Sequence, residues 1–460
     1  MHRVFKKKSI EAVHEVNERS ELRKTLNSLD ILLLGVGAVL GTGVFVMTGV
    51  TAAKFSGPAV TLSYLLAGFA AIFMALAYTE IAAMIPGSGS IYTYAYVSFG
   101  EIIAWLIGWT ILLEYTLSAV TVAAGWSGYI YGILAATGMD VPQEFFTTPA
   151  QGGLINLPAV IISLFISFLL LLGTKESARF NNILVAVKLV AIFIFVWISV
   201  PHFEVTNWTN NFMPFGFSGV TTGAAIIFFG YTGFDLLSTT TEECKNPKRD
   251  IIFGLIGSLI VCMIIYTVVS GLLTGIVPYG ELDNNEPLAY AMRKNGSNIG
   301  SAIVATGAVA GMTTVLLVQL FAQSRLIFFL SRDGMLPKVF GKIHPKFRTP
   351  YITHILIGTI VAALAGFTPI ELAGNLASTA MLTEYMAVAI MVLYLRYKMP
   401  LVARPFKCPL IFVIAPVAIL LCGFLIHSLI SEATIIFLIW GIIGVVVYFI
   451  YGYRNSKLSK

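Results

Sequence analysis

Two ionisable side chains stand where water should be absent. Lys188, in Asn-Asn-Ile-Leu-Val-Ala-Val-Lys-Leu-Val-Ala-Ile-Phe, lies about six residues inside an apolar run, roughly 9 Å from its polar edge at the helical rise. Glu114, in Trp-Thr-Ile-Leu-Leu-Glu-Tyr-Thr-Leu-Ser-Ala-Val, lies about 12 residues into another run, near its middle. Charges held in hydrocarbon are costly, so both default to a functional reading. A lysine amine at such depth can carry a proton or occupy a cation site. Its plainer alternative is a side chain that snorkels to the nearby interface. Glu114 can pair with a protonated group or face a bound cation; its alternative is a protonated carboxyl hydrogen-bonded between helices. The four cysteines show no paired spacing and the six histidines form no HExxH or CxxC pattern, so neither a metal site nor a disulfide framework nor a cofactor is expected.

The backbone supplies a second kind of chemistry. The stretch Gly35 to Phe45, Gly-Val-Gly-Ala-Val-Leu-Gly-Thr-Gly-Val-Phe, interrupts the first apolar run, and Phe229-Gly230-Tyr231-Thr232-Gly233 interrupts the sixth. A backbone that breaks at membrane depth must hand its freed N–H and C=O groups to something other than lipid. Half-helix N-termini favour anions and half-helix C-termini favour cations. Two breaks side by side therefore suit a zwitterionic amino acid. The expected carboxylate site is the N–H groups of Thr42 and Gly43, beside Gly41, with the Thr42 hydroxyl. The expected ammonium site is the carbonyls around Val39, Phe228 and Tyr231, next to Thr232 and Gly233. Met312, in Ala-Gly-Met-Thr-Thr, is a candidate pocket wall. Glycines that merely permit close helix packing are the competing account; the spacing of Gly35, Gly37 and Gly41 also fails the dinucleotide fingerprint.

The elements that position these groups follow from composition. The 460 residues are 57% apolar and 11% charged, against about 25% charged in a soluble domain. An all-α polytopic membrane protein is expected. Runs of about 20 apolar residues begin near Leu29, Pro58, Ile102, Leu154, Ile183, Phe217, Ile251, Ile299, Tyr351, Leu372, Leu410 and Ile435, which predicts twelve spans. With both termini inside, all lysines and arginines except Lys54, Lys188, Arg293 and Lys294 fall on the inner side, as the positive-inside rule requires. The net charge of +6 thus reflects topology and not a nucleic-acid partner. No cleaved leader is expected. The inner connector 331–349 has room for a short surface helix, and Glu80, Asp235, Glu242 and Glu243 are expected to pair with inner basic residues. Both breaks lie roughly 20 Å along their helices, near the midplane. Matching interruptions at positions one and six suggest a five-plus-five inverted repeat: an inner segment 1–28, repeats over 29–200 and 217–396, two further helices over 409–452, and a tail 453–460.

The run Tyr78 to Tyr96, with Gly100, Glu101 and Trp105, resembles the amino acid–polyamine–organocation transporters. It is nearest to their cationic amino acid transporter branch, as a bacterial member. Gly37 to Phe45, Phe228 to Pro247, and Ser324-Arg325 with Asp333-Gly334-Met335-Leu336 carry the same resemblance, which covers about residues 26–430. It implies a LeuT-like fold, an L-amino acid between the first and sixth helices, alternating access, and residence in the plasma (inner) membrane. It also implies that Lys188 replaces the second sodium ion of sodium-coupled relatives and couples protons. Here the substrate expectation is a small neutral (alanine-like) or a cationic amino acid, with Met312 offering no polar contact to a guanidinium. An obligate exchanger is the alternative; a membrane enzyme lacks a nucleophile with a base or a metal cluster.

Overall fold

The computed structural model describes residues 4–10, 27–85, 90–172, 177–235, 237, 246–347, 349–429 and 431–457. Glu242, Glu243, Pro86 to Gly89 and most of 236–245 lie outside the described residues. The described chain is helical, without a strand. In chain order its main helices are α1 Ser28–Val39, α2 Val60–Met84, α3 Glu101–Ala136, α4 Leu157–Leu172, α5 Ser177–Ser199, α6 Gly216–Ile227, α7 Pro247–Ile276, α8 Asn298–Arg332, α9 Tyr351–Phe367, α10 Ile370–Lys398, α11 Ile411–Ser428 and α12 Ser431–Val447. Among the described residues, eight helical stretches are long and apolar enough to cross a membrane; Ser28–Val39, Leu157–Leu172, Gly216–Tyr231 and Tyr351–Phe367 are apolar but shorter.

Two of the short ones, α1 and α6, stop because their backbone breaks. One of the long ones, the 42-residue run Gly43–Met84, is helical on both sides of a turn. Gly57 adopts φ +63 there and lies against Pro214, leaving no room for a Cβ; a left-handed residue of this kind favours glycine. The first half of α1 is set by its N-terminus: the Asn27 side chain accepts from the N–H groups of Leu29 and Asp30, and Asp30 returns a bond to the Asn27 N–H. This reciprocal cap satisfies donors that a helix start otherwise leaves orphaned.

The longest helices form the middle of the bundle. α8 packs on α3 and α5, α10 on α3 and α11, α7 on α1 and α2, α6 on α2, and α9 on α4. α12 is fastened to α3 by indoles: Trp109 stacks on Trp440 at 4.4 Å between ring centroids, each Nε1–H donating to the other's backbone carbonyl, at 2.9 and 3.0 Å. In the connector 331–349 the expected surface helix is a single tight turn, Lys338–Gly341.

At the end of the bundle that holds both termini, Glu80 of α2 accepts from Arg396 Nε at 2.5 Å and Nη2 at 2.7 Å, from the Cys408 N–H at 2.8 Å, and pairs with Arg404 at 3.2 Å. Glu80 and the Arg404 side chain are both 2% exposed. The expected pairing of Glu80 with arginines is thus present, with Arg396 and Arg404. Removing the carboxylate takes the counter-ion from two guanidinium groups, one of them buried, although Arg404 keeps bonds to the Leu395, Met399 and Val402 carbonyls. Glu80→Ala is expected to destabilise the fold by about 3–5 kcal/mol, the usual result of breaking a buried pair. Thermal unfolding in detergent checks this, and Glu80→Asp should recover part of the loss.

Candidate functional site

The two breaks meet. α1 ends at Val39, where Leu40 turns to an extended ψ of 102, and helical bonding restarts with the N–H groups of Val44 and Phe45 on the Gly41 carbonyl, at 3.2 and 3.3 Å. α6 ends at Ile227, tightens through Phe228–Tyr231, and opens at Thr232 with ψ 148. Gly43 and Gly230 touch backbone to backbone: a Cβ built on Gly43 would lie 2.6 Å from the Gly230 Cα. Gly233, at φ +107, faces the backbone of Ala38 in the same way.

The carbonyls freed by the first break are taken by four neighbouring elements. The Lys188 amine, from α5, donates to the Gly37 carbonyl and, at 2.9 Å, to the Leu40 carbonyl. The Tyr266 hydroxyl, from α7, sits 2.9 Å from the Val39 carbonyl and 2.7 Å from that of Gly230. Tyr64 of α2 donates to the Gly43 carbonyl at 2.6 Å, and Tyr129 of α3 donates to the Phe45 carbonyl at 2.7 Å. A further bond ties Tyr231 to α2, its hydroxyl donating to the Tyr64 carbonyl at 2.8 Å. On the other break, Ser378 of α10 donates to the Ile226 carbonyl at 3.0 Å and accepts from the Phe229 N–H at 3.3 Å.

Against this clasp the predicted residues sort clearly. Lys188 is fully buried, and its amine reaches the break instead of the helix edge. Its stem crosses Gly311 of α8, whose absent Cβ would lie 3.1 Å from Cδ. Among the described residues it forms no ion pair. Thr42 is 1% exposed, and its Oγ1 has no hydrogen-bond partner. Met312 joins it: a Cβ on Gly125 of α3 would meet Thr42 Cγ2, Val46 Cγ2 and Met312 Sδ within 3.1 Å, so these three side chains enclose one glycine-sized space. Gly41 lies against Val315 of the same helix as Met312. Thr232 folds back, its hydroxyl donating to the Phe229 carbonyl. Val39 and Gly230 offer carbonyls, though both already lie within bonding distance of the Tyr266 hydroxyl; each retains a lone pair.

Phe228 and Phe234 pack on Tyr385 of α10, at 6.3 and 5.1 Å between ring centroids, and Tyr231 packs on Tyr266 at 5.1 Å. Glu114 stands apart from Lys188. It accepts from Ser118, one turn on along α3, at 3.1 Å. Tyr115, its neighbour in sequence, donates to Asp235 at 3.5 Å, and Asp235 in turn accepts from the Gly233 N–H at 3.3 Å. Sequence reading did not find Tyr64, Tyr129, Tyr266 or Ser378. The available signal was the hydroxyl itself, because a tyrosine in the middle of an apolar run must find a hydrogen-bond partner.

The far end of the first broken helix is roofed by residues 279–297. The short helix Pro287–Lys294 rests on Gly49, whose missing Cβ would meet Pro287 at 2.5 Å; Asn285 fills Gly128 and Glu286 fills Gly132 on α3. At the rim Lys54 pairs with Asp283 at 3.2 Å and with Glu371.

The amino-acid sequence is similar to those of known proteins. Residues 26–452 match the family described as amino acid permease. A branched-chain amino acid permease, BcaP, of Bacillus subtilis (strain 168) is 41% identical over 463 residues, 99% of each chain. A methylthioribose transporter of the same organism is 39% identical over 462 residues, 100% of each chain. The vacuolar cationic amino acid transporter 4 of Arabidopsis thaliana is 33% identical over 410 residues, 87% of this chain and 68% of its own. These relatives are transporters and not enzymes. The chain is a multi-pass membrane protein and belongs to the amino acid permease family, within the amino acid–polyamine–organocation superfamily.

Proposed function

We propose that this protein carries a small neutral amino acid across the plasma membrane by alternating access, driven by protons, with both termini in the cytoplasm. The fold under this reading is LeuT-like: twelve spans, with repeats over 29–200 and 217–396 and a final pair over 409–452. Helix neighbours support it. α1 lies on α7 as α6 lies on α2, and α5 lies on α8 as α10 lies on α3; the pairs α3–α8 and α4–α9 map onto themselves. Exchanging the first five helices for the next five leaves these contacts unchanged, which is the behaviour of an internal repeat.

The observation that carries the coupling reading is the pair of hydrogen bonds that the Lys188 amine donates to the Gly37 and Leu40 carbonyls. A charged amine there holds the end of α1 in its broken form. A neutral amine keeps two donors but loses the charge assistance that strengthens them. Proton loss therefore loosens the break that holds the substrate. Glu114, with Ser118, is proposed as a second proton-carrying group on the same pathway.

For the substrate, the N–H groups of Thr42 and Gly43 and the unpartnered Thr42 hydroxyl take the carboxylate; the carbonyls of Val39, Phe228 and Tyr231, beside Thr232 and Gly233, take the ammonium. The side chain faces Gly125, Val46 and Met312, an apolar wall that favours a neutral residue over a cationic one. The name of the relative at 41% identity, a branched-chain amino acid permease, agrees with a neutral substrate.

Proteoliposomes test the whole reading. An inward proton gradient, with no amino acid inside, is expected to drive accumulation of alanine or a branched-chain amino acid above the external concentration. Uptake that requires internal amino acid and ignores the gradient would make the protein an exchanger. A thermal-shift screen of free amino acids ranks substrates, because a ligand that binds the folded state raises its stability.

A further inference from the structure

The roof over the first broken helix holds an acid that the transport reading does not use. Glu286 begins the short helix Pro287–Lys294, is 9% exposed, and fills the space where Gly132 of α3 lacks a side chain. Arg293, two turns along the same helix, donates to both of its oxygens, one bond at 3.3 Å, and donates to Ser301 of α8 at 3.1 Å. The remaining titratable group facing this carboxylate is Tyr129 of α3, whose hydroxyl is committed to the Phe45 carbonyl. Other charged groups on the neighbouring elements point elsewhere: Lys54 to Asp283 and Glu371, Lys294 to Glu281, Lys188 to α1.

The location of Arg293 decides the direction of the effect. It travels with the roof, so undocking does not break the ion pair. Docking brings up Gly132 and takes water away from the carboxylate without supplying a new cation. Burying an ionised group costs free energy unless new partners offset it. The ionised form therefore opposes docking, and a proton on Glu286 removes that opposition at the expense of the ion pair, which Arg293 tolerates because its side chain is 29% exposed and still donates to Ser301.

We propose that Glu286 is a proton-binding site of the outer roof, which takes up a proton as residues 279–297 dock on α3 and releases it as they lift. The inference rests on the transport reading for its orientation, with the roof facing outside. Acid on that side then favours the closed roof. Burial pushes the Glu286 carboxyl above the usual carboxylate range, against the pull of Arg293 in the other direction. The sign agrees with linkage: a group that holds its proton more tightly in one state stabilises that state as pH falls through the window above its ordinary value, and loses the effect as pH rises.

Spin labels at Gly280→Cys on the roof and Met139→Cys beyond α3, in a full chain with its native cysteines replaced by serine, report the separation in nanodiscs. Gly280 has open space around it and Met139 is 60% exposed, so both sites tolerate a label. Between about pH 7.5 and about pH 5, the range above an ordinary glutamate, the ratio of short to long distances is expected to rise several-fold. Glu286→Gln should hold the short distance at both ends of the range, and Glu286→Asp should keep the response. A distance distribution that ignores pH, one that lengthens in acid, or a response that survives in Glu286→Gln overturns the proposal. Thermal shift with amino acid on the same samples separates the two readings. Ligand stabilisation without an acid response removes the roof site alone; an acid response without ligand stabilisation removes the transport reading and leaves the roof site standing.

Discussion

Gly43→Leu is expected to abolish amino acid binding and uptake for every substrate the protein accepts. The Gly43 Cα faces the Gly230 backbone, and a Cβ at 2.6 Å from that Cα meets an atom with no rotamer to escape into. Either the two breaks separate or one of them rewinds, and both outcomes pull the Thr42 and Gly43 N–H groups away from the Val39 and Phe228 carbonyls. Even Gly43→Ala should cost about 1–3 kcal/mol as overpacking, equivalent to about fivefold to about 150-fold if it falls on binding. The thermal shift induced by a saturating amino acid measures it. Gly423→Ala, in α11 with nothing near its Cα, is the control and should bind normally. Equal binding by Gly43→Leu would put the substrate elsewhere.

The second large effect is at Lys188. Lys188→Met keeps the length and apolar stem that lie across Gly311 but removes the donors to the Gly37 and Leu40 carbonyls. Accumulation driven by a proton gradient is expected to vanish, leaving at most equilibration. Binding should survive in weakened form, because the Thr42 and Gly43 N–H groups remain. Charge-assisted bonds of this kind are worth about 1.5–3 kcal/mol each, so the break should also be less ordered, visible as faster amide exchange over residues 36–45. A Lys188→Met variant that still accumulates substrate under a proton gradient, with unchanged pH dependence, would strip Lys188 of its coupling role.

Much of this site was legible in the sequence because glycine and charge are rare signals in an apolar run. Gly41-Thr42-Gly43 and Gly230 marked the breaks, and the depth of Lys188 marked a buried amine; the structure joins the two breaks and delivers that amine to one of them. The clasp was not legible. Tyr64, Tyr129 and Tyr266 look like packing residues one at a time, and their partners lie on other elements, from 21 to 227 residues away in the chain. Helix length is uneven for a physical reason: α1 and α6 are cut short at the breaks the glycines marked, and Gly43–Met84 runs through a glycine turn. The roof was invisible for a third reason: Gly49, Gly128 and Gly132 accommodate a segment more than a hundred residues further on, which spacing along the chain does not show.

Tyr266 carries one hydroxyl proton and stands between two carbonyls, Val39 at 2.9 Å and Gly230 at 2.7 Å. One proton cannot satisfy both at full strength. Whichever carbonyl it serves, the other is owed a donor, and the debt passes from one broken helix to the other with a small rotation of the hydroxyl. Under the proposed function, an arriving ammonium meets an under-supplied carbonyl on whichever broken helix the Tyr266 hydroxyl leaves unserved.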